Sequence, residues 1–283
     1  MRSAPDGEPP EPAIEAIAAH YDSLDRFYRD IWGEHVHHGL WLSGRESPEE
    51  AVLQMSHLVL DRLELPPGAR IADIGCGYGA TARLAAEGHG ARVVGFTVSA
   101  AQKSYADRLV PSRGAVDIRL QDWAVAEFAD GELDGAFALE SLEHFADKAG
   151  FARKLRRAVR PGGRLVIATW LRSDRVCAWS QRHLLNALCR EGRQPLLTTA
   201  GALCSTLRVA GFSQVEVEDL TRRVARTWNV IIGRTVLRLV TRRQYRTYLL
   251  QSTAVDRVFA LTACRIWLAF RTGCFRYGFI TCR

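Results

Sequence analysis

Arg70-Ile71-Ala72-Asp73-Ile74-Gly75-Cys76-Gly77-Tyr78-Gly79-Ala80 is the stretch that decides the fold. It reads as a short buried strand ending at Asp73, a glycine-rich turn, and a helix from Thr81 to Glu87. Gly75, Gly77 and Gly79 open positive φ to the main chain and remove the Cβ atoms, so a ligand can lie against the backbone. A three-glycine turn does not name that ligand, because dinucleotide-binding folds use a similar one. The next strand separates the cases. A nicotinamide-binding unit places an acid at the end of strand two to hold a ribose. Here strand two, Ala91 to Phe96, runs into Thr97-Val98-Ser99-Ala100-Ala101-Gln102, and the acid stands at Asp73 instead.

The combined pattern, D-I-G-C-G-Y-G followed by G-F-T-V-S-x-x-Q, resembles the class I S-adenosylmethionine-dependent methyltransferases. Its details are similar to the tocopherol methyltransferase and cyclopropane-fatty-acid synthase branches. The resemblance extends to H-Y-D and I-W-G-x-H-x-H-H-G near the start, E-S-L-E-H-F after strand four, R-P-G-G-R-L-V-I, and the ending Y-G-F-I-T-C-R. It is weakest across residues 171–272. It implies an α/β fold: a doubly wound seven-stranded Rossmann-like sheet with an N-terminal helical lid. It also implies S-adenosyl-L-methionine as cofactor and S-adenosyl-L-homocysteine as product.

Composition sets outer bounds. The 283 residues suffice for one large domain, or for a core with an inserted cap. No charged start precedes an apolar run, and the C-terminal apolar stretches are broken by Arg234, Arg238 and Arg265, so no signal peptide or membrane span is expected. Seven cysteines without a C-x-x-C pair fit free thiols in a reducing cytosol, with no structural zinc. The net charge of +7 is uneven: from Thr221 onward Asp256 is the only acid. No RNA-binding module accompanies the arginines, and no N-P-P-[YF] signature follows strand four, so no nucleic-acid partner is expected. Oligomeric state is not written in the chain.

Residues 1–12 are proline-rich and acidic, a disordered leader. Residues 13–65 form the lid, ending in an amphipathic helix from Pro48 to Leu65. From 66 to 220 strands and helices alternate, as a parallel doubly wound sheet requires. Strands are expected at Val116–Leu120, Leu133–Leu139, Arg164–Thr169 and Gln214–Asp219, with helices over Ser99–Leu109, Asp147–Val159, Cys177–Cys189 and Thr199–Ala210. Residues 221–273 are then a basic helical cap, inserted before a terminal strand in 274–283.

Methyl transfer from a sulfonium is an in-line displacement, so alignment in a dry pocket carries much of the rate. Cofactor contacts are expected from Asp73, Gly75, Cys76, Gly77 and Gly79 at the amino-acid end, and from Thr97 and Gln102 at the ribose. Asp122 and Trp123 suit the adenine, although Asp122 also reads as a loop cap and Trp123 as core; Glu140 lies at the same carboxyl edge. The Glu143–His144 pair is the candidate base for a phenol-type acceptor whose ring carbon takes the methyl, with His144 as a junction cap the alternative. In the lid, Tyr21, Trp32, His37 and His38 are expected to meet the acceptor; the histidine spacing is poor for a metal. Arg234, Arg238, Arg242 and Arg246 recur at every fourth position, which on one helix makes a drifting basic stripe. Membrane contact, an anionic substrate and plain solvation all remain open for it. The expected enzyme is cytoplasmic, with a membrane-peripheral location left open, and acts on a small molecule, a prenylated quinol or related phenolic first. N- or O-methylation of another natural product comes second.

Overall fold

The computed structural model describes residues 12–250 and 259–283. The expected leader lies almost wholly outside them, as does part of the expected cap. Seven strands form one sheet in the order β3-β2-β1-β4-β5-β7-β6. They are β1 Arg70–Ile74, β2 Arg92–Thr97, β3 Ala115–Leu120, β4 Leu133–Leu139, β5 Val159–Arg172, β6 Glu216–Asp219 and β7 Phe275–Cys282. β1 to β5 run parallel, and β7 is antiparallel to both β5 and β6. The doubly wound seven-stranded sheet is therefore as expected.

Strand alternation divides the core between two faces. On one, Ala72, Val94, Ala136 and Ile167 pack with Phe151 and Leu155 of α5 (Lys148–Ala158) and Leu203 and Leu207 of α8 (Ala200–Val209). On the other, Ile71, Val93, Phe137 and Val166 meet Met55, Val59 and Leu63 of α2 (Pro48–Leu63) and Ala82 and Ala85 of α3 (Ala80–His89). α2 starts sharply because Ser47 and Glu50 make a reciprocal capping box behind Pro48.

Around this core lie α1 (Ile14–Ile31), α4 (Ala100–Ala106), α6 (Ala178–Ser180), α7 (Asn186–Glu191), α9 (Thr221–Val224), α10 (Arg226–Thr241), α11 (Arg243–Leu250) and α12 (Phe259–Thr272). Several boundaries differ from those expected. β5 extends to Arg172 because β7 pairs along it from Leu165 to Arg172. The stretch expected as one helix over Cys177–Cys189 contains a π turn at Gln181–Leu185 between α6 and α7. The four-arginine stripe is interrupted, because α10 ends at Thr241 and Arg242 is extended. Arg234 pairs with Glu49, while Arg246 donates to the Leu239 and Val240 carbonyls at the end of α10. Among the described residues no helix is long and apolar enough to cross a membrane.

Gly75 has the most local consequence. Its φ is +78°, and a Cβ there would lie 2.2 Å from Ser141 Cβ, on the loop leaving β4. The turn after β1 and the loop after β4 thus interlock at a missing side chain. Gly75→Ala combines left-handed strain with this overlap, so we expect a melting temperature lower by at least about 5 °C in differential scanning fluorimetry. Ser141→Gly in the same chain should recover part of the loss.

Candidate active site

Two cavities meet at the carboxyl edge of the sheet. The larger, about 480 Å³, runs from the glycine turn across the ends of β2 and β3. Gly75, Gly77, Thr97, Gln102, Asp122, Trp123 and Glu140 line it, and Pro12, Ile17 and Tyr21 cover it from the lid. A Cβ at Gly77 would meet nothing within 4 Å, so the turn presents open main chain to the cavity. The Thr97 hydroxyl donates to Gln102 Oε1 at 2.7 Å and accepts from Ser99 N–H at 3.1 Å. Asp122 Oδ1 accepts from Ala124 N–H at 2.9 Å, so the cavity-lining acid is also the loop cap. Trp123 is buried edge-on to Phe96, and its Nε1 has no hydrogen-bond partner among the described residues. Lys154 Nζ holds the Trp123 and Ala124 carbonyls at 2.6 and 2.8 Å. Bare turn, hydroxyl–amide pair and ring with acid fit an adenosyl amino acid from its charged end to its base.

Not every residue of the glycine turn reaches this cavity. Asp73, Cys76 and Gly79 do not line it, a correction to the sequence expectation. Gly79 turns at φ +71° toward Ile118 and Ala106, and Cys76 packs against the same two side chains. Asp73 and Cys76 line instead a small void of about 30 Å³ beneath the turn. Asp73 is buried, and burial alone pushes its carboxyl up. Its contribution is to the turn from below.

The second cavity, about 130 Å³, lies between α1, α7, α10 and α12. Its walls are largely apolar and aromatic, including Phe27, Trp32, Trp170, Trp228 and Ile266. Tyr21, Val36, Glu140 and His144 line both cavities, so these four form the partition across which two ligands would touch. His144 Nδ1 lies 3.1 Å from the Arg193 carbonyl, which can only accept, so this nitrogen carries the proton. Nε2 then accepts the Tyr21 hydroxyl at 2.9 Å. Burial pushes the imidazole down to about 4, partly offset by the Arg193 carbonyl. His144 is therefore a neutral, fully engaged ring.

Glu143 is different. Oε1 accepts the Trp170 N–H at 2.6 Å, but Oε2 is buried with no hydrogen-bond partner among the described residues. Burial, and then the neighbouring Glu140 charge, push its carboxyl up to about 8; the Trp170 N–H and the Thr169 hydroxyl offset only part of this.

Glu140 itself is fully used. Oε1 accepts from His38 N–H at 2.6 Å and Tyr277 O–H at 2.8 Å. Oε2 accepts from His38 Nδ1–H at 2.8 Å and Trp170 Nε1–H at 3.1 Å. Burial works to raise this carboxyl, but the His38 ring and main chain, with His37 behind, hold it below the usual carboxylate range. Its φ of +53° turns the chain sharply out of β4. His38 is completely buried, and its Nε2 accepts from Trp228 Nε1 at 2.6 Å.

Neither His37 nor His38 lines the acceptor-side cavity, so the lid histidines do not face an acceptor as expected. His38 ties the lid to the sheet. His37 faces inward, its Nδ1–H donating to the His38 carbonyl at 3.0 Å while Nε2 lies 3.2 Å from both His35 Nδ1 and the Ser56 hydroxyl. Tyr21 and Trp32 do line the cavity. No group of three or more His, Cys, Asp or Glu among the described residues is placed to hold a metal.

Sequence reasoning missed several participants. Trp170, Trp228 and Tyr277 are spread over more than a hundred residues of chain and converge only through β5, α10 and β7. Asp22 was within reach, one residue after Tyr21. It accepts from Ser99 Oγ at 2.5 Å and Ala101 N–H at 3.1 Å, which fastens α1 to the start of α4. Tyr78 O–H to Asp25 Oδ1, at 2.8 Å, adds a second fastening.

The family model described as mycolic acid cyclopropane synthetase matches residues 9–272. The chain is 27% identical to the chloroplastic tocopherol O-methyltransferase of Arabidopsis thaliana, over 95% of this chain and 82% of that protein. It is 28% identical to a 2-methyl-6-phytyl-1,4-hydroquinone methyltransferase of Synechocystis sp., over 93% of this chain and 86% of the other. The cyclopropane synthase MmaA2 from Mycobacterium tuberculosis superposes with a TM-score of 0.83, at 22% identity and over 98% and 99% of the two chains. The chain thus belongs to the mycolic acid cyclopropane synthetase family of class I methyltransferases and is an enzyme that uses S-adenosylmethionine to methylate a small molecule.

Proposed function

We propose that the enzyme methylates a neutral, phenol-type acceptor of about one ring, at a ring carbon, with Glu143 taking the phenolic proton. The observation that carries this reading is that Glu143 lines the acceptor cavity while its buried Oε2 has no hydrogen-bond partner among the described residues. A carboxyl raised to about 8 can receive a proton near neutral pH, whereas His144 has its basic nitrogen occupied. Loss of that proton places charge on the ring, and a ring carbon then attacks the methyl presented across the partition. The hydrogen that carbon carried is afterwards lost as a proton while the oxygen regains one, which restores the aromatic phenol. The cofactor supplies the electrophilic methyl. Gly75, Gly77, Thr97, Gln102, Asp122 and Trp123 would hold it, and Tyr21 and Val36 keep water from the point of transfer.

Size and charge narrow the acceptor. An apolar engineered cavity of about 150 Å³ admits benzene, so about 130 Å³ suits a single ring. A prenyl tail, as on the quinol named for the Synechocystis relative, would have to extend beyond it. The lining contains Glu140, Glu143 and Glu191 but no lysine or arginine, which disfavours an anionic acceptor. O-methylation is the second reading, favoured by the name of the Arabidopsis relative and served by the same deprotonation. Membrane contact through the cap loses support, since Arg234 and Arg246 are engaged within the protein.

Methyl-labelled S-adenosylmethionine with simple phenols and hydroquinones, with and without prenyl tails, tests the proposal. We expect label on a ring carbon by NMR, with benzoate and phenyl phosphate left unmethylated. Label confined to oxygen would select the second reading, and transfer to the anions would refute the charge argument.

A further inference from the structure

Among the acids lining the acceptor cavity, Glu143 alone keeps a buried oxygen with no hydrogen-bond partner among the described residues. The groups facing it come from five elements. Glu140 stands at the end of β4, His144 in the same turn, and Tyr21 on α1. The Tyr277 hydroxyl comes from β7, and Thr169 and the Trp170 N–H from β5. Among the described residues Lys148 of α5 is the one cation facing it, and its ammonium is turned to the Phe145 carbonyl at 2.8 Å. A carboxyl with one undonated oxygen and another carboxylate beside it keeps its proton until a ligand's charge is added.

The partition changes that balance. Tyr21, Glu140 and His144 line both cavities, so a cation in the donor cavity lies about one side-chain layer from Glu143. Charges interact strongly across such a poorly solvated wall. We propose that binding of the sulfonium donor expels the proton of Glu143 to solvent, whereas binding of the neutral thioether product leaves it in place. This rests on the reading of Glu143 as proton acceptor and adds when it becomes one. During transfer the sulfur–methyl bond breaks, the methyl–acceptor bond forms, and the acceptor's hydroxyl proton passes to Glu143. When the acceptor atom is a ring carbon, the hydrogen it carried is then lost as a proton while the oxygen regains one, so rearomatisation adds no net proton. The sulfonium becomes a thioether as the carboxylate becomes a neutral acid, so both charges vanish together. The proton liberated by the overall reaction therefore leaves at donor binding, before the chemistry.

Calorimetry without acceptor, at pH 7.5 in buffers of different protonation enthalpy, counts the protons. S-adenosylmethionine should release more than half a proton per site, and S-adenosylhomocysteine close to none. In Glu143→Gln that difference should disappear, which also subtracts any proton contributed by the ligands' own amino groups. Because the donor displaces a proton, its affinity should tighten as pH rises from about 6.5 to 8, by up to about tenfold, and then level off. The affinity for S-adenosylhomocysteine should stay flat over the same range. Equal proton counts for the two ligands in the wild-type protein would overturn the proposal, whatever the folding of the variant. The count needs no turnover, so a Glu143→Gln enzyme that still methylates would remove the base role while leaving this charge linkage standing.

Discussion

Glu143→Gln is expected to lower turnover by about three orders of magnitude, within the usual range for removal of a general base, while S-adenosylhomocysteine affinity changes by less than about threefold. Glutamine keeps the shape and can still accept the Trp170 N–H, so the partition should survive. What it cannot do is take a proton. The pH profile separates Glu143 from His144. Burial and Glu140 push the free carboxyl up to about 8, and a cationic donor brings it down. Turnover at saturating donor should therefore rise between about pH 6 and 8. A rise near 4 would point to His144, whose imidazole burial pushes down to about 4. Stability carries the opposite sign. A carboxyl raised in the fold contributes fully below its unfolded value and loses that contribution as pH climbs through about 8. Glu143→Gln should therefore melt progressively higher than the wild-type protein as pH goes from 5 to 9.

Glu140→Ala should be the most damaging single change to the fold around the site. Its carboxylate takes four hydrogen bonds, from His38 N–H, His38 Nδ1–H, Trp170 Nε1–H and Tyr277 O–H. These come from the lid, β5 and β7, so no rotation of one side chain can re-pair them. Each buried donor left unsatisfied costs about 1–3 kcal/mol, and partial relaxation brings the total to about 4–6 kcal/mol. For a chain of this length that is a loss of about 10 °C or more in melting temperature, readable by scanning calorimetry. Glu140→Gln should lose less, because one oxygen still accepts two of the donors. A melting temperature for Glu140→Ala within 3 °C of the wild-type value would show that this carboxylate does not hold the lid.

Local signals in the chain carry the sheet well. The expected strand Leu133–Leu139 is found with the same bounds, and the glycine turn falls where three positive-φ residues allow it. The donor side is legible for the same reason, since Thr97, Gln102, Asp122 and Trp123 each follow a strand end. The acceptor side is not. Trp170, Trp228 and Tyr277 acquire a common purpose only when β5, α10 and β7 come together, and their spacing has no period to read. The lid histidines misled because aromatic and imidazole density looks like a binding surface, whereas His38 is spent on Glu140 and Trp228. The arginine repeat misled because every fourth residue makes a stripe only while one helix continues, and Arg242 breaks it.

α1 walls both chambers at once, through Ile17 and Tyr21 on one side and Leu24 and Phe27 on the other, and Asp22 and Asp25 bolt it down between them. A donor exchange that lifts α1 therefore also strips the acceptor of part of its wall. On that route Tyr21 leaves both chambers together, and the bound ring loses its cover. We therefore expect one methyl per acceptor visit, and multiply methylated products would require the acceptor to leave and return.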